Sequence, residues 1–328
     1  MTSRRLVLPT ALAAASILAL AGCAATPTAD DGRIAVVAST DVYGQIVEAI
    51  GGDLVDVTSI VTSASQDPHS FEPSARDQLS VSRAALIVEN GGGYDSFVDT
   101  LIDASGTDAE IITAVEFSHD WPENEGHDAE ATEEAEHEHA EGEEHDHEGH
   151  DHVEGFNEHV WYDPHTIEHV AEAIADELSG IAPADAATFT ANLDEFVAGI
   201  ADLEAGLADL DAASGGSEIF VTEPVPLYLT NAAGLANVAP EAFTEAVEEG
   251  RDVPPSTLLE ALKLVQGGSV RAVIVNAQTG GAETTAVTDE ADAAGIPVVE
   301  FTETLPEGQT YLSWMQSNIE ALGRALTS

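Results

Sequence analysis

The chain has a single cysteine, Cys23, in 328 residues. A lone thiol cannot close an intrachain disulfide, nor supply the paired thiolates of a Cys-type structural zinc site. Lysine is as scarce, with Lys263 alone, and nine basic residues stand against 61 acidic ones, for a formal charge of −52. A surface of that sign repels nucleic acid and anionic lipid heads and concentrates cations, so no nucleic-acid partner is expected. Neither a Walker-type phosphate loop nor a Gly-x-Ser-x-Gly elbow occurs, which leaves no sequence signal for ATP hydrolysis or serine catalysis. No solenoid-length repeat is evident, although the two halves echo each other in pattern.

What is present begins with an address. Arg4 and Arg5 precede an apolar stretch from Leu6 to Leu20, which ends in Leu20-Ala21-Gly22-Cys23. The stretch is short for a bilayer span and has a charged start and a small-residue end, so residues 1–23 read as a secretory signal. Cysteine directly after Leu-Ala-Gly resembles a bacterial lipobox. Cys23 would then be lipidated and become the mature N-terminus, with the small, polar residues 24–32 as a tether. Roughly 295 residues remain, enough for two lobes with cores of their own.

The pattern that follows alternates strands and helices. Ile34 to Ser39, Val55 to Val61, Ala85 to Val88 and Glu110 to Val115 are short apolar runs of strand length. Helical stretches lie at Tyr43 to Ile50, Ser74 to Val81 and Tyr94 to Ile102. Asp163 and Pro164 then open a helix to Leu178 as N-cap and first position. A long helix is predicted over 183–211, since Phe189, Leu193, Phe196, Ile200, Leu203 and Leu207 recur at spacings of three and four. After Ser214-Gly215-Gly216 the alternation resumes: Glu218 to Thr222, Pro226 to Ala233, Ser256 to Gln266, Val270 to Asn276, Glu283 to Ala294, Pro297 to Thr302 and Thr310 to Leu326. The expected fold is α/β: two parallel-sheet lobes, 33–182 and 214–328, joined by one long helix, with a site in the cleft between them.

Histidine and acid run together from His119 to His152, in HDWPENEGHDAEATEEAEHEHAEGEEHDHEGHDH. Imidazole and carboxylate are the usual ligands of borderline divalent metals, and the run has almost no large apolar side chain with which to build a core. It reads as an exposed loop collecting metal through His127, His137, His139, His145, His147, His150 and His152. Outside it remain His69, His159, His165 and His169. His69 follows a strand in Asp67-Pro68-His69-Ser70-Phe71-Glu72-Pro73-Ser74. His159 precedes a helix in Asn157-Glu158-His159-Val160-Trp161-Tyr162-Asp163-Pro164. Both sit at strand–helix junctions, where α/β folds place ligands, with prolines that stiffen the backbone. His165-Thr166-Ile167-Glu168-His169 also fits the His-x-x-Glu-His pattern of a metallopeptidase, which would still require a third ligand.

The two longer motifs resemble those of the solute-binding proteins of zinc and manganese ABC transporters, the ZnuA/TroA-like family. Asp67 to Ser74 is similar to its first ligand motif nearly letter for letter. His159 to Pro164 is similar to the second, with Tyr162 where leucine is common and Asn157-Glu158 where Asn/Asp-Pro is common. Asn90-Gly91-Gly92-Gly93-Tyr94 looks like the family's Asn-Gly turn, and Pro254-Pro255-Ser256 like its Glu-Pro-Ser helix start. The resemblance runs from about Ile34 to the C-terminus, and the His-rich insert lies where zinc-type members carry theirs.

That resemblance implies four metal ligands: His69 and His159 from the first lobe, Glu223 and Glu303 from the second. Glu223, in Val221-Thr222-Glu223-Pro224, takes the third place, where zinc members have mostly His and many manganese members Glu. Glu303, in Phe301-Thr302-Glu303-Thr304, replaces the more usual Asp. The implied cargo is Zn²⁺, with Mn²⁺ or Fe²⁺ as the alternative. The implied partners are a permease and its ATPase, reached by a lipid-anchored, monomeric receptor at the outer face of the cytoplasmic membrane that catalyses no reaction. A surface zinc buffer relying on the loop, or the His-x-x-Glu-His peptidase, are the other readings. Each ligand must be deprotonated to bind, so affinity is expected to fall in mild acid.

Overall fold

The computed structural model describes residues 32–124, 153 and 155–327. The expected signal, lipidated Cys23, most of the tether and the loop histidines from His127 to His152 lie outside the described residues.

In the first lobe β1 (Ile34–Thr40), β2 (Val55–Val61), β3 (Leu86–Glu89) and β4 (Glu110–Thr113) form a parallel sheet in the order β2-β1-β3-β4. The crossovers are α1 (Asp41–Gly51), α2 (Ala75–Val81) and α3 (Phe97–Ser105). Next come α4 (Pro164–Ile181) and the 29-residue α5 (Ala186–Ser214). The second lobe places β5 (Glu218–Val221), β6 (Ala236–Asn237), β7 (Ala272–Asn276) and β8 (Val298–Phe301) in the parallel order β6-β5-β7-β8. Its helices are α6 (Leu227–Ala232), α7 (Glu241–Glu248), α8 (Pro255–Gln266), α9 (Ala282–Ala294) and α10 (Tyr311–Leu326). Two parallel-sheet lobes joined by one long helix is the fold the pattern predicted.

The period-2 pleat explains why the strands are apolar on both sides. Ile34, Val36 and Ala38 of β1, and Leu86 and Val88 of β3, face one core, while Val37 and Ile87 face another. The second lobe divides in the same way: Ile219, Val221, Ala272 and Ile274 point one way, Phe220, Val273 and Val275 the other. The inner faces of both sheets belong to one continuous core, completed by Phe189, Phe196, Ile200, Leu203 and Leu207 of α5 and by Trp314, Met315 and Leu322 of α10. At about 1.5 Å per residue α5 spans ~43 Å, and it packs on helices of both lobes. A Cβ on Gly199 would approach Leu312 Cδ1 to 2.4 Å, so the glycine lets α10 lie close against α5. Lobes that share a core are tied side by side; their strand ends cannot drift apart without breaking it.

Local chemistry moved several boundaries. The long helix starts at Ala186 rather than at 183, because Pro183 lies in a turn and the Asp185 carbonyl accepts the first helical N–H groups, from Thr188 and Phe189. It runs past 211 to Ser214, where Gly215 ends it. The helix expected from Tyr94 starts at Phe97, since Asp95 is spent on the preceding turn. Neither β6 nor α7 was predicted. No helix among the described residues is long and apolar enough to cross a membrane.

Candidate metal centre

The first donor follows β2. The Asp67 carboxylate accepts the backbone N–H of His69 at 3.0 Å and the Ser70 hydroxyl at 2.8 Å, closing a 3-10 turn, Pro68–Ser70. His69 is half-buried and meets the ring of Tyr94 edge-on at 4.9 Å between centroids. Tyr94 is fully buried, and it is placed by a turn only glycine makes easily. Gly91, Gly92 and Gly93 have φ of 78°, 66° and 93°, and a Cβ on Gly91 would come within 2.4 Å of Thr113 Cγ2. Asp95 holds that turn by accepting the N–H groups of Asn90 and Gly91 at 2.7 and 2.8 Å. Burial lifts the Asp95 carboxyl to about 6.

The second donor lies between β4 and α4. Tyr43 donates its hydroxyl to Asn90 Oδ1 at 2.5 Å, and Asn90 Nδ2 donates to the carbonyl of Glu158 at 2.9 Å, so the glycine turn and the Glu158-His159 segment are one assembly. Asn157 fixes the next detail. Its Nδ2 donates to the Pro224 carbonyl at 3.2 Å, and a carbonyl can only accept, so Oδ1 faces His159. That oxygen accepts the His159 Nδ1–H at 2.7 Å. This is the arrangement in which an outer hydrogen bond on one ring nitrogen orients an imidazole that ligates through the other.

The second lobe supplies carboxylates from beyond its strand ends. Glu223 follows β5, Glu303 follows β8, and Asn276, the last residue of β7, lies between them. Asn276 Nδ2 donates to Glu223 Oε2 at 3.0 Å and to Glu303 Oε1 at 2.5 Å. Thr279 donates to the other oxygen of Glu223. Gln278 Oε1 accepts the backbone N–H groups of Glu303 and Thr304 at 2.6 and 2.9 Å, which pins the segment after β8. Tyr94 bridges the lobes, donating to Glu303 Oε2 at 3.3 Å while its ring lies 5.9 Å from that of His159.

Of the four residues the resemblance implied, His69 and His159 come together with ring centroids 6.3 Å apart, and Glu223 and Glu303 come together on Asn276. The tightest donor group among the described residues is a different one. One atom each of His69, His159 and Glu158 lie within 4.8 Å of one another. Glu158 is 3% exposed and stands where the family pattern has proline; that departure was the sequence signal for it. Glu248, at the end of α7, was also missed: its Oε1 lies 3.7 Å from His159 Nε2. Amphipathic spacing in the Ala- and Glu-rich stretch around Phe243 and Val247, ended by Gly250, was the signal for that helix.

No lysine or arginine among the described residues pairs with Glu223, Glu248 or Glu303. Burial raises the Glu223 carboxyl, against hydrogen bonds from Thr279 and Asn276 that lower it. Burial, with the Glu223 charge, lifts Glu303 to about 7. Glu248 is pushed up to about 9 by burial and then by Glu158, Glu223 and Glu303. These carboxylates repel one another across one space with no lysine or arginine among the described residues paired to them, an arrangement that a divalent ion relieves. A cavity of about 380 Å³ opens onto Glu248, with Asp67, His69 and Ser70 on one lip and Glu248 to Arg251 on the other.

The peptidase pattern gains nothing from the fold. His165 is exposed on α4, His169 turns its Nδ1 to Glu172 at 2.9 Å, and the pair joins no group of three metal-binding side chains among the described residues.

Residues 36–325 match the sequence model of ZnuA, described as zinc-uptake complex component A, periplasmic. The iron ABC transporter substrate-binding lipoprotein MtsA of Streptococcus pyogenes serotype M1 is 26% identical over 329 residues, 95% of each chain. The manganese-binding lipoprotein MntA of Halalkalibacterium halodurans is 27% identical over 180 residues, 54% of this chain and half the length of that relative. The solved structure of the periplasmic zinc-binding protein TroA from Treponema pallidum superposes with a TM-score of 0.68 at 17% identity, covering 90% of this chain and 99% of that one. The likeness to TroA is one of fold.

Proposed function

The chain belongs to the ZnuA family of periplasmic zinc-uptake components, and from that premise we propose that it captures Zn²⁺ between its lobes and delivers it to a membrane permease. The observation that carries this reading is the approach of an imidazole from one lobe to carboxylates from the other, with His159 Nε2 3.7 Å from Glu248 Oε1 and with Glu223 and Glu303 drawn together on Asn276 beyond the strand ends, where no lysine or arginine among the described residues pairs with them. His69, His159, Glu223 and Glu303 would ligate the ion, with Glu158 beside the two histidines. Lipidation at Cys23 would hold the chain at the outer face of the membrane. Transport would draw on the ATPase of a partner, and the loop histidines would gather ions near the cleft.

A manganese or iron receptor is the second reading, favoured by the number of carboxylates around only two imidazoles, since oxygen donors suit the harder ions. Native mass spectrometry with metal analysis separates the two, on full chain exposed equally to Zn²⁺ and Mn²⁺ and then stripped of weakly held ions. One retained zinc, lost in His69→Ala, is the expected result. One retained manganese would keep the receptor and change its cargo, and retention of no tightly held ion would end the cleft reading.

A further inference from the structure

We propose that Glu248 is itself a ligand of the captured ion, delivered by α7 opposite His159; this rests on the receptor reading above and adds a donor that reading does not contain. The contact between Glu248 Oε1 and His159 Nε2 is 3.7 Å, too long for a hydrogen bond. It is close to the separation of two donors sharing one metal, since bonds of about 2.1 Å at tetrahedral or octahedral angles place neighbouring donor atoms roughly 3–3.5 Å apart. Nε2 is the ring nitrogen opposite the one that Asn157 engages. Glu248 Oε1 is buried and makes no hydrogen bond among the described residues. Its side chain is 15% exposed, at the cavity lip facing Asp67 and His69, so an entering ion passes it.

The helix that carries it is firmly seated. Phe243 is fully buried and packs edge-on against Phe220 of β5 at 5.4 Å. The end of α7 is capped: Gly250 at φ 62° lets its N–H reach the Val247 carbonyl and that of Arg251 reach Ala246, at 3.1 and 2.8 Å. Glu248 therefore meets His159 from a fixed helix end, and the helix dipole places its negative pole toward the ion. A further oxygen donor also bears on selectivity, because it serves Mn²⁺, which accepts more oxygen ligands, more than it serves Zn²⁺.

The test compares wild type, Glu248→Gln, Glu241→Gln and His69→Ala as full chains. Chelator competition at less than one equivalent of Zn²⁺ or Mn²⁺ gives the tight-site affinity, and X-ray absorption of the same samples counts oxygen donors. Glu248→Gln should weaken Mn²⁺ by about 100-fold and Zn²⁺ by about 10-fold, and remove one oxygen from the metal's shell, while Glu241→Gln, exposed at the other end of the same helix, leaves both unchanged. Metal-free Glu248→Gln should melt no lower than wild type, so a lost site cannot be a lost fold. If Glu248→Gln keeps wild-type affinity and donor count while His69→Ala loses the site, Glu248 is not a ligand and the cleft reading stands. If His69→Ala also keeps the site, the cleft reading itself falls, and the role of Glu248 with it.

Discussion

The two lobes equip one cleft in opposite ways. The first contributes two imidazoles, neutral when ready to bind, with the single carboxylate of Glu158 beside them, set by short local bonds: Asp67 beneath His69, Asn157 behind His159, Asn90 holding the Glu158 carbonyl. The second contributes carboxylates gathered from two separate chain segments onto Asn276, Thr279 and Gln278, or carried in on α7. Neutral donors can be buried in an empty site at little cost. Buried carboxylates cannot, and they respond by holding their protons, Glu303 to about 7 and Glu248 to about 9. Geometry is thus set by the histidine side and stored charge by the carboxylate side, and a divalent ion is what makes the second arrangement favourable.

Breaking the histidine side should have the largest effect. His159→Ala removes a donor whose ring is 1% exposed and already oriented, and should weaken the tight site by on the order of 1,000-fold in isothermal titration. Metal-free stability should change far less than metal affinity; a variant that binds normally would remove the cleft from consideration. Glu303→Gln sharpens the contrast, since it should weaken binding by roughly 10–100-fold and yet stabilise the metal-free chain at alkaline pH. The sign follows from the shift. Folding raises the Glu303 carboxyl from 4.5 to about 7, so across that interval the native chain holds a proton the unfolded chain has released. The stability this confers is complete below about pH 4.5 and is lost as pH rises through 7; Glu248 extends the loss toward 9. Thermal melts of metal-free wild type should therefore fall from pH 5 to pH 8, and Glu303→Gln should flatten part of that fall. Parallel curves for the two proteins would mean that the carboxyl is not strained in the empty site.

The same division governed what the sequence disclosed. The histidine side was legible because its donors sit inside contiguous motifs, where Asp67-Pro68 and Asp163-Pro164 announce both turn and cap. The strands were legible because both faces of each sheet are buried, which leaves continuous apolar runs. The carboxylate side was only half legible. In a chain with 61 acidic residues a glutamate carries almost no information by type. Glu223 and Glu303 could be singled out only through the resemblance of their short motifs, and Glu158 and Glu248 only by what surrounds them in space. Asn276, which joins Glu223 to Glu303, ends an ordinary strand and has no local signature at all. The α7 helix was overlooked because its amphipathic spacing rests on only two large apolar residues, Phe243 and Val247, in eight positions otherwise rich in alanine and glutamate.

The smallest expected effect on the tight site comes from the segment richest in histidine. Deleting Glu123 to Asp151 removes six of the seven loop histidines predicted to collect metal and leaves His152, while every side chain placed in the cleft stays. Asn124 goes too, with its bonds to the Glu116 and Ser118 carbonyls, but these are exposed or half-buried contacts worth about 1 kcal/mol each. Calorimetry on the deletion variant should show one tight site with affinity within about threefold of wild type and the loss of several weak ones. A histidine-rich segment raises the local concentration of ions without adding a bond to the one in the cleft, so it changes how fast the cleft fills at scarce metal and leaves how tightly it holds unchanged. If the tight site vanished with the segment, the ion would be held jointly by loop and cleft, and the contrast between a geometric lobe and a charged lobe would have to admit a third contributor.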